Sequence, residues 1–267
     1  MLQRLESRKK VRVKNAVFGG PRMLQCIPLI SADQQTFLAD LQTVSAYQPD
    51  IVEWRIDYFD QLENPDHAAQ TLNAATSLLK PLPIILTFRR QSEGGYCFYP
   101  DQIRAAVLKS AIDTGLIDVI DIELSAEDGF RNAMLDYAHK KGVKVILSWH
   151  NVRETPSRED MLFYLKEEER LGADIAKLSV KPNSFHDVLS LMKASLYSRQ
   201  EQIGIPQITV SKDDLGLMTR VFGYGLGSDL AFLSVTGVST FGQLSLPDFR
   251  ELLSLLQLED CGSTSAV

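Results

Sequence analysis

Cysteine is scarce in this chain: Cys26, Cys97 and Cys261 make an odd number in 267 residues, with no metal-ligand spacing. That excludes a disulfide framework and predicts reduced thiols in a cytoplasmic protein, with Cys26 packed in an apolar run. Histidine is sparse too. His67, His139, His150 and His186 fall at no paired-ligand spacing, which argues against a metal, although Asp121, Glu123 and His150 are a set that could hold one. No apolar stretch reaches the ~18 residues of a membrane span, and the opening residues lack the apolar core of a secretion signal. The net charge of −6 leaves no general basic face for nucleic acid. Absent also are a Walker loop, a nucleophile elbow, a haem motif and a Gly-x-Gly-x-x-Gly after the first apolar run. The expected partner is a small molecule.

What is present is a chain that is 45% hydrophobic and 23% charged, enough for a sizeable core. Short β-rich runs at 24–29, 51–56, 84–88, 118–124, 143–148, 174–180, 207–210 and 231–235 alternate with helical patterns. The helical stretches are 33–47, 65–79, 101–114, 128–141, 158–171, 184–199, 213–222 and 248–257. Ser157 with Asp160 has the capping-box layout, and Gly172 marks the matching helix end. Eight strand–helix units predict one α/β domain over 11–258, a (β/α)8 TIM barrel; an open doubly wound sheet is the competing architecture. Two short runs flanking Lys14 and Asn15 predict an N-terminal β-hairpin closing the barrel bottom. Residues 1–10, rich in lysine and arginine, read as a frayed, disordered terminus, and 259–267 as a disordered tail.

Lys177 lies inside the apolar run Asp174-Ile-Ala-Lys-Leu-Ser-Val180. Burial favours the neutral form of an amine, which is the form that attacks a carbonyl to make a Schiff base. The alternative is a lysine paired with a carboxylate. Alternation along strands sends neighbouring residues to opposite faces. It turns Glu53 and Arg55, Thr87 and Arg89, Asp121 and Glu123, Ser148 and His150, and Lys177 and Ser179 toward one interior. In a barrel the C-terminal strand ends form the active site. There His150 suits proton transfer, and Arg55, Arg89 and Arg220 suit a carboxylate or phosphate.

The segments Glu53-Trp-Arg-Ile-Asp57, Thr87-Phe-Arg89 with Glu93-Gly-Gly95, Ile120-Asp-Ile-Glu-Leu124, Ser148-Trp-His150 and Ala176-Lys-Leu178 occur in this order. Arg220 and the stretch from Ser239 through Gly242-Gln243 follow them. In that order and spacing, over nearly the whole chain, the sequence resembles the type I 3-dehydroquinate dehydratases, imine-forming lyases of the shikimate pathway. The resemblance implies that Lys177 forms the Schiff base and that His150 is the general acid and base. It implies that Glu93 orients or tunes His150, and that Glu53, Arg55, Arg89, Arg220, Ser239 and Gln243 hold substrate. It further implies no metal or organic cofactor, and a homodimer. The competing functions are a class I Schiff-base aldolase or transaldolase, and a non-catalytic metabolite sensor on the same fold. The chain departs from the family's commoner pattern at Pro28, Asn151, Lys212 and Phe241. A loop over 236–243 is expected to close over substrate, and the glycines after Glu93 are expected to make that loop mobile.

Overall fold

The structure is a computed structural model that describes residues 4–235 and 243–258. It opens with a hairpin, β1 (Val11–Val13) and β2 (Ala16–Phe18), and then alternates strand and helix. The units run β3 (Leu24–Leu29), α1 (Gln34–Ala46), β4 (Ile51–Arg55), α2 (Asp66–Ala74) with α3 (Thr76–Leu79), β5 (Ile84–Thr87) and α4 (Asp101–Asp113). They continue through β6 (Val119–Glu123), α5 (Asp128–Lys140), β7 (Lys144–Asn151), α6 (Arg158–Arg170), β8 (Ile175–Val180) and α7 (Phe185–Tyr197). The last are β9 (Gln207–Ser211), α8 (Leu217–Leu226), β10 (Leu230–Phe232) and α9 (Leu246–Leu255). The eight parallel strands are ordered β10-β3-β4-β5-β6-β7-β8-β9, and the Asp229 N–H donates to Gln207 O at 2.8 Å to join the two ends. The architecture is the (β/α)8 barrel, with the expected hairpin at its foot.

Period-two alternation explains the barrel's two cores. Outward residues such as Trp54, Leu86, Ile120, Leu147 and Leu178 pack beneath the helices in one large cluster. Inward residues at the strand starts, Ile51, Ile85, Val119, Ile146, Ile175 and Ile208, form a second, smaller cluster that Val11, Val13, Ala16 and Phe18 of the hairpin close from below. Two and four residues further along the first five of these strands the inward positions become polar. Those five strands therefore carry an apolar foot and a chemical head, and β8 reads Ile175, Lys177, Ser179 in that order. Among the described residues no helix is long and apolar enough to cross a membrane.

Most helices fall where periodicity places them, and Ser157 caps α6 by accepting from the Asp160 N–H at 3.1 Å. The stretch expected as one helix over 65–79 is two, because Ala75 leaves the helical well (φ −89°, ψ 3°). The helix expected at 213–222 starts later, after a tight turn in which Asp213 takes φ 55°. A side chain at Gly216 would lie 2.1 Å from Ser211 O, so only glycine fits the turn. The basic N-terminus also differs from expectation, since the chain from Arg4 is held against the barrel. Arg4 is buried and donates to Gly20 O at 3.0 Å, Tyr224 O at 3.0 Å and Ser228 O at 2.9 Å. Its guanidinium also pairs with Asp229. Of the tail, 259–267 lies outside the described residues.

Asp229 sits at the seam where β9 meets β10. Its carboxylate takes Arg4 on one side and Arg199 on the other, and it accepts the Gln207 N–H at 2.7 Å. Arg199 is aimed there by a π-helical turn after α7 and also donates to Gly227 O at 2.7 Å. Removing one member of a buried ion group leaves its partners' charge uncompensated, which costs about 3–5 kcal/mol. Asp229→Ala is therefore expected to lower the urea-unfolding free energy by about that amount. A loss below about 1 kcal/mol would mean that the seam is closed by backbone pairing alone.

Candidate active site

The amine of Lys177 is held from the barrel interior. Its Nζ donates to Asp121 Oδ2 at 2.8 Å, lies 3.5 Å from Glu53 Oε1 and stands 4.7 Å above the Phe232 ring. The sequence left open whether this lysine is paired or free to react. It is both paired with carboxylates and directed into a cavity. Behind it the side chains are interlocked: Glu53 accepts from Thr87 Oγ1 at 2.7 Å, and Asp121 accepts from Ser148 Oγ at 2.6 Å. Arg89 bridges Asp121 (2.8 Å) and Glu123 (3.1 Å), and Glu123 is tied from outside by Arg104 of α4. Burial alone would raise the Asp121 carboxyl, but Arg89 and Lys177 together hold it well below the usual carboxylate range. Asp121 is thus a fixed anion beneath the amine.

His150 stands near the C-terminal end of β7, next to the Lys177 strand. Its backbone N–H donates to Glu93 Oε2 at 2.9 Å, and its Nδ1 lies 3.0 Å from the same oxygen. Ser125 Oγ donates to the other carboxylate oxygen. An oxygen that takes the backbone N–H takes the Nδ1 proton as well, which leaves Nε2 as the free base. Burial, then the positive charge of Arg89 and Lys177, pushes the His150 imidazole well below its ordinary pKa. Burial also lifts the Glu93 carboxyl to about 7, against the pull of Arg89.

Glu93 is carried on a short turn that requires both of its glycines. Gly94 takes the left-handed conformation (φ +89°), and a Cβ on Gly95 would lie 2.1 Å from Arg89 O. The turn is tied by Gly95 N–H to Arg90 O at 2.9 Å. Arg55 faces the mouth and is gripped by Asp57 through two 2.8 Å bonds, and Asp57 also accepts the Tyr96 N–H at 3.0 Å. On α8, Arg220 donates to Ser211 O at 3.2 Å, while its buried Nε has no partner among the described residues. Gln243 Oε1 is likewise buried and unpartnered there.

One cavity of about 240 Å³ is lined by Glu53, Arg55, Arg89, Glu93, His150, Lys177, Arg220 and Gln243. Eight of the nine expected site residues therefore share a single space at the strands' C-terminal ends. The ninth, Ser239, and the closing loop at 236–242 lie outside the described residues. Sequence reasoning missed Phe232 beneath the amine and Asp57 behind Arg55. It also missed Glu168 of α6, which is fully buried and accepts the Lys177 backbone N–H at 2.9 Å. Helical spacing carried that last signal, since Met161, Leu165 and Glu168 share the buried face of α6. An acid on an otherwise apolar stripe is a residue held for a reason other than packing.

Comparison with known proteins agrees with this fold. Residues 25–260 match the sequence profile described as Type I 3-dehydroquinase. A 3-dehydroquinate dehydratase of Klebsiella pneumoniae is 37% identical over 246 residues, covering 92% of this chain and 98% of that protein. One from Clostridioides difficile is 33% identical over 249 residues, covering 93% and 98%. Among solved structures, the type I 3-dehydroquinate dehydratase of Clostridium difficile with covalently modified comenic acid superposes with a TM-score of 0.90. It shares 33% identity and covers 94% of this chain and 98% of its own. The 3-dehydroquinate dehydratase of Geobacillus kaustophilus also gives a TM-score of 0.90, at 31% identity over 95% and 98% of the two chains. The barrel agrees with a profile match spanning most of the sequence, and the chain belongs to the type I 3-dehydroquinase family.

Proposed function

We propose that this chain is a lyase that converts 3-dehydroquinate to 3-dehydroshikimate by syn elimination of water through a lysine imine, as a step of the shikimate pathway. The observation that carries the reading is the shared cavity of Lys177 and His150. A buried amine on β8 and a base with a free Nε2 on β7 open into the same space.

Lys177 Nζ, once it has given up a proton, adds to the C3 ketone, and loss of water gives a protonated imine. That cation sits where Asp121 and Glu53 already hold a positive charge, so no reorganisation is needed to stabilise it. The imine draws electrons from C2, and His150 Nε2 removes the C2 proton to leave an enamine. The enamine's electron pair returns to form the C1–C2 double bond and expels the C1 hydroxyl, which takes the proton from His150 and leaves as water. Addition of water to the remaining imine releases product and restores the amine. Glu93 holds the His150 tautomer. Arg220 takes the substrate carboxylate, and Glu53, Arg55, Arg89, Ser239 and Gln243 hold the ring hydroxyls and the rest of the site. The reaction runs without metal or organic cofactor, in a cytoplasmic homodimer, which sedimentation velocity checks as a single species of twice the chain mass.

The test is incubation with 3-dehydroquinate while following the enone absorbance of the product, then borohydride reduction and peptide mass analysis. Turnover with a reduced adduct on Lys177 is expected. Turnover with no adduct would leave dehydration but remove the imine. An adduct formed with sugar phosphates and not with dehydroquinate would favour an aldolase.

A further inference from the structure

Five cations border the cavity, and three of them are matched. Arg55 has Asp57, Arg89 has Asp121 and Glu123, and Lys177 has Asp121 and Glu53. The other two are Arg220, whose bond is to a carbonyl, and Lys212, just past the end of β9. Lys212 continues the inward phase of Ile208 and Val210, and its Nζ stands over Gly94, 3.6 Å from where a Cβ would be. Among the described residues no carboxylate comes within ion-pair distance of that ammonium. An amine placed among fixed cations without a counter-ion is an arrangement completed by an anion brought from outside.

We propose that Lys212 is a specificity-determining residue of this site, a second cation lining the same cavity as Arg220 that recognises the anionic group of the ring substrate. The inference rests on reading the site as a dehydratase of an anionic hydroxy-keto acid. Two cations from different elements, α8 and the β9 end, give recognition that a single arginine does not. A neutral analogue of the substrate then leaves both unmatched, which penalises it twice.

The electrostatics agree with the geometry. Facing Lys212 are Arg55 from β4, Arg89 and Glu93 from the segment after β5, His150 from β7 and Lys177 from β8, with Asp213 adjacent and Arg220 on α8. Burial, then repulsion from Arg89, Arg55 and Lys177, pushes the Lys212 amine down to about 8. A bound anion reverses that repulsion, so binding near pH 8 takes up a proton.

Quinate, which has the ring and carboxylate but no ketone, isolates recognition from imine chemistry. Titration calorimetry at pH 8, in two buffers of different ionisation heat, is run on the wild type, Lys212→Met and Lys212→Arg. The methionine variant is expected to bind quinate about tenfold more weakly and to raise the KM for 3-dehydroquinate by a similar factor, with kcat falling much less. Arginine is expected to restore affinity. Proton uptake drops in both variants by up to about half a proton, since a guanidinium is already charged and a thioether never is. Quinate affinity and KM within twofold of wild type in Lys212→Met would overturn the inference, as would undiminished proton uptake. A wild type that binds quinate but does not dehydrate 3-dehydroquinate would instead count against the proposed function.

Discussion

Lys177→Ala is expected to abolish borohydride trapping and to lower kcat by at least about 10⁴-fold, the scale of losing a covalent nucleophile. The fold is expected to survive, because Asp121 keeps its bonds to Arg89 at 2.8 Å and Ser148 at 2.6 Å when the amine is gone. An unchanged thermal midpoint, within a few degrees, separates lost chemistry from lost structure. Lys177→Arg supplies the second control: it keeps a positive charge against Asp121 and Glu53 but has no nucleophilic amine, so it should fail as fully as alanine. A variant that keeps more than about a hundredth of wild-type turnover would sink the imine mechanism, since general acid–base help alone contributes about 10²–10⁴. Peptide mapping of the trapped variant also reports whether Lys212, the other amine lining the cavity, captures substrate in its place.

His150→Ala should separate two halves of the same reaction. The amine, its carboxylates and the arginines remain, so the imine still forms and borohydride still marks Lys177. Proton removal at C2 loses its base, and turnover falls by roughly 10²–10⁴. Loss of trapping together with turnover would instead assign His150 to imine formation. The pH dependence follows from its partner. Glu93 has its carboxyl lifted to about 7 by burial, so it is an anion above that pH and neutral below. Only the anion is a pure acceptor that fixes the proton on Nδ1 and leaves Nε2 free. The rate kcat/KM should therefore fall as pH drops through about 7, and Glu93→Gln should remove that limb. His150 itself is pushed well below its ordinary value, so its own protonation belongs to a more acid range.

The strands and the inward-facing groups were legible because period-two alternation is a local property of the chain. Ile51, Glu53 and Arg55 reveal an apolar foot and a charged head without any knowledge of their neighbours. Who pairs with whom was not legible. Glu53 meets Lys177 across 124 positions, and Arg4 reaches Asp229 across 225, distances at which no sequence pattern survives. The basic terminus looked unstructured for that reason: most of the groups that hold Arg4, Asp229 among them, lie more than two hundred residues away. The break at Ala75 was hidden because alanine favours helix, and only tertiary packing overrides that preference. The roles given to Glu93, Ser239 and Gln243 came from resemblance; strand alternation pointed to Lys177 and His150, and side-chain chemistry to Arg55, Arg89 and Arg220.

The hairpin under the barrel has a consequence for traffic. Among the described residues Val11, Val13, Ala16 and Phe18 stopper the lower end, and the cavity lies at the opposite end of the strands. In the proposed reaction, substrate entry, departure of the eliminated water, return of the water that cleaves the imine and product release all use that upper end. A vessel used in this way empties in sequence rather than by through-flow. Whatever narrows that end delays every one of those steps together.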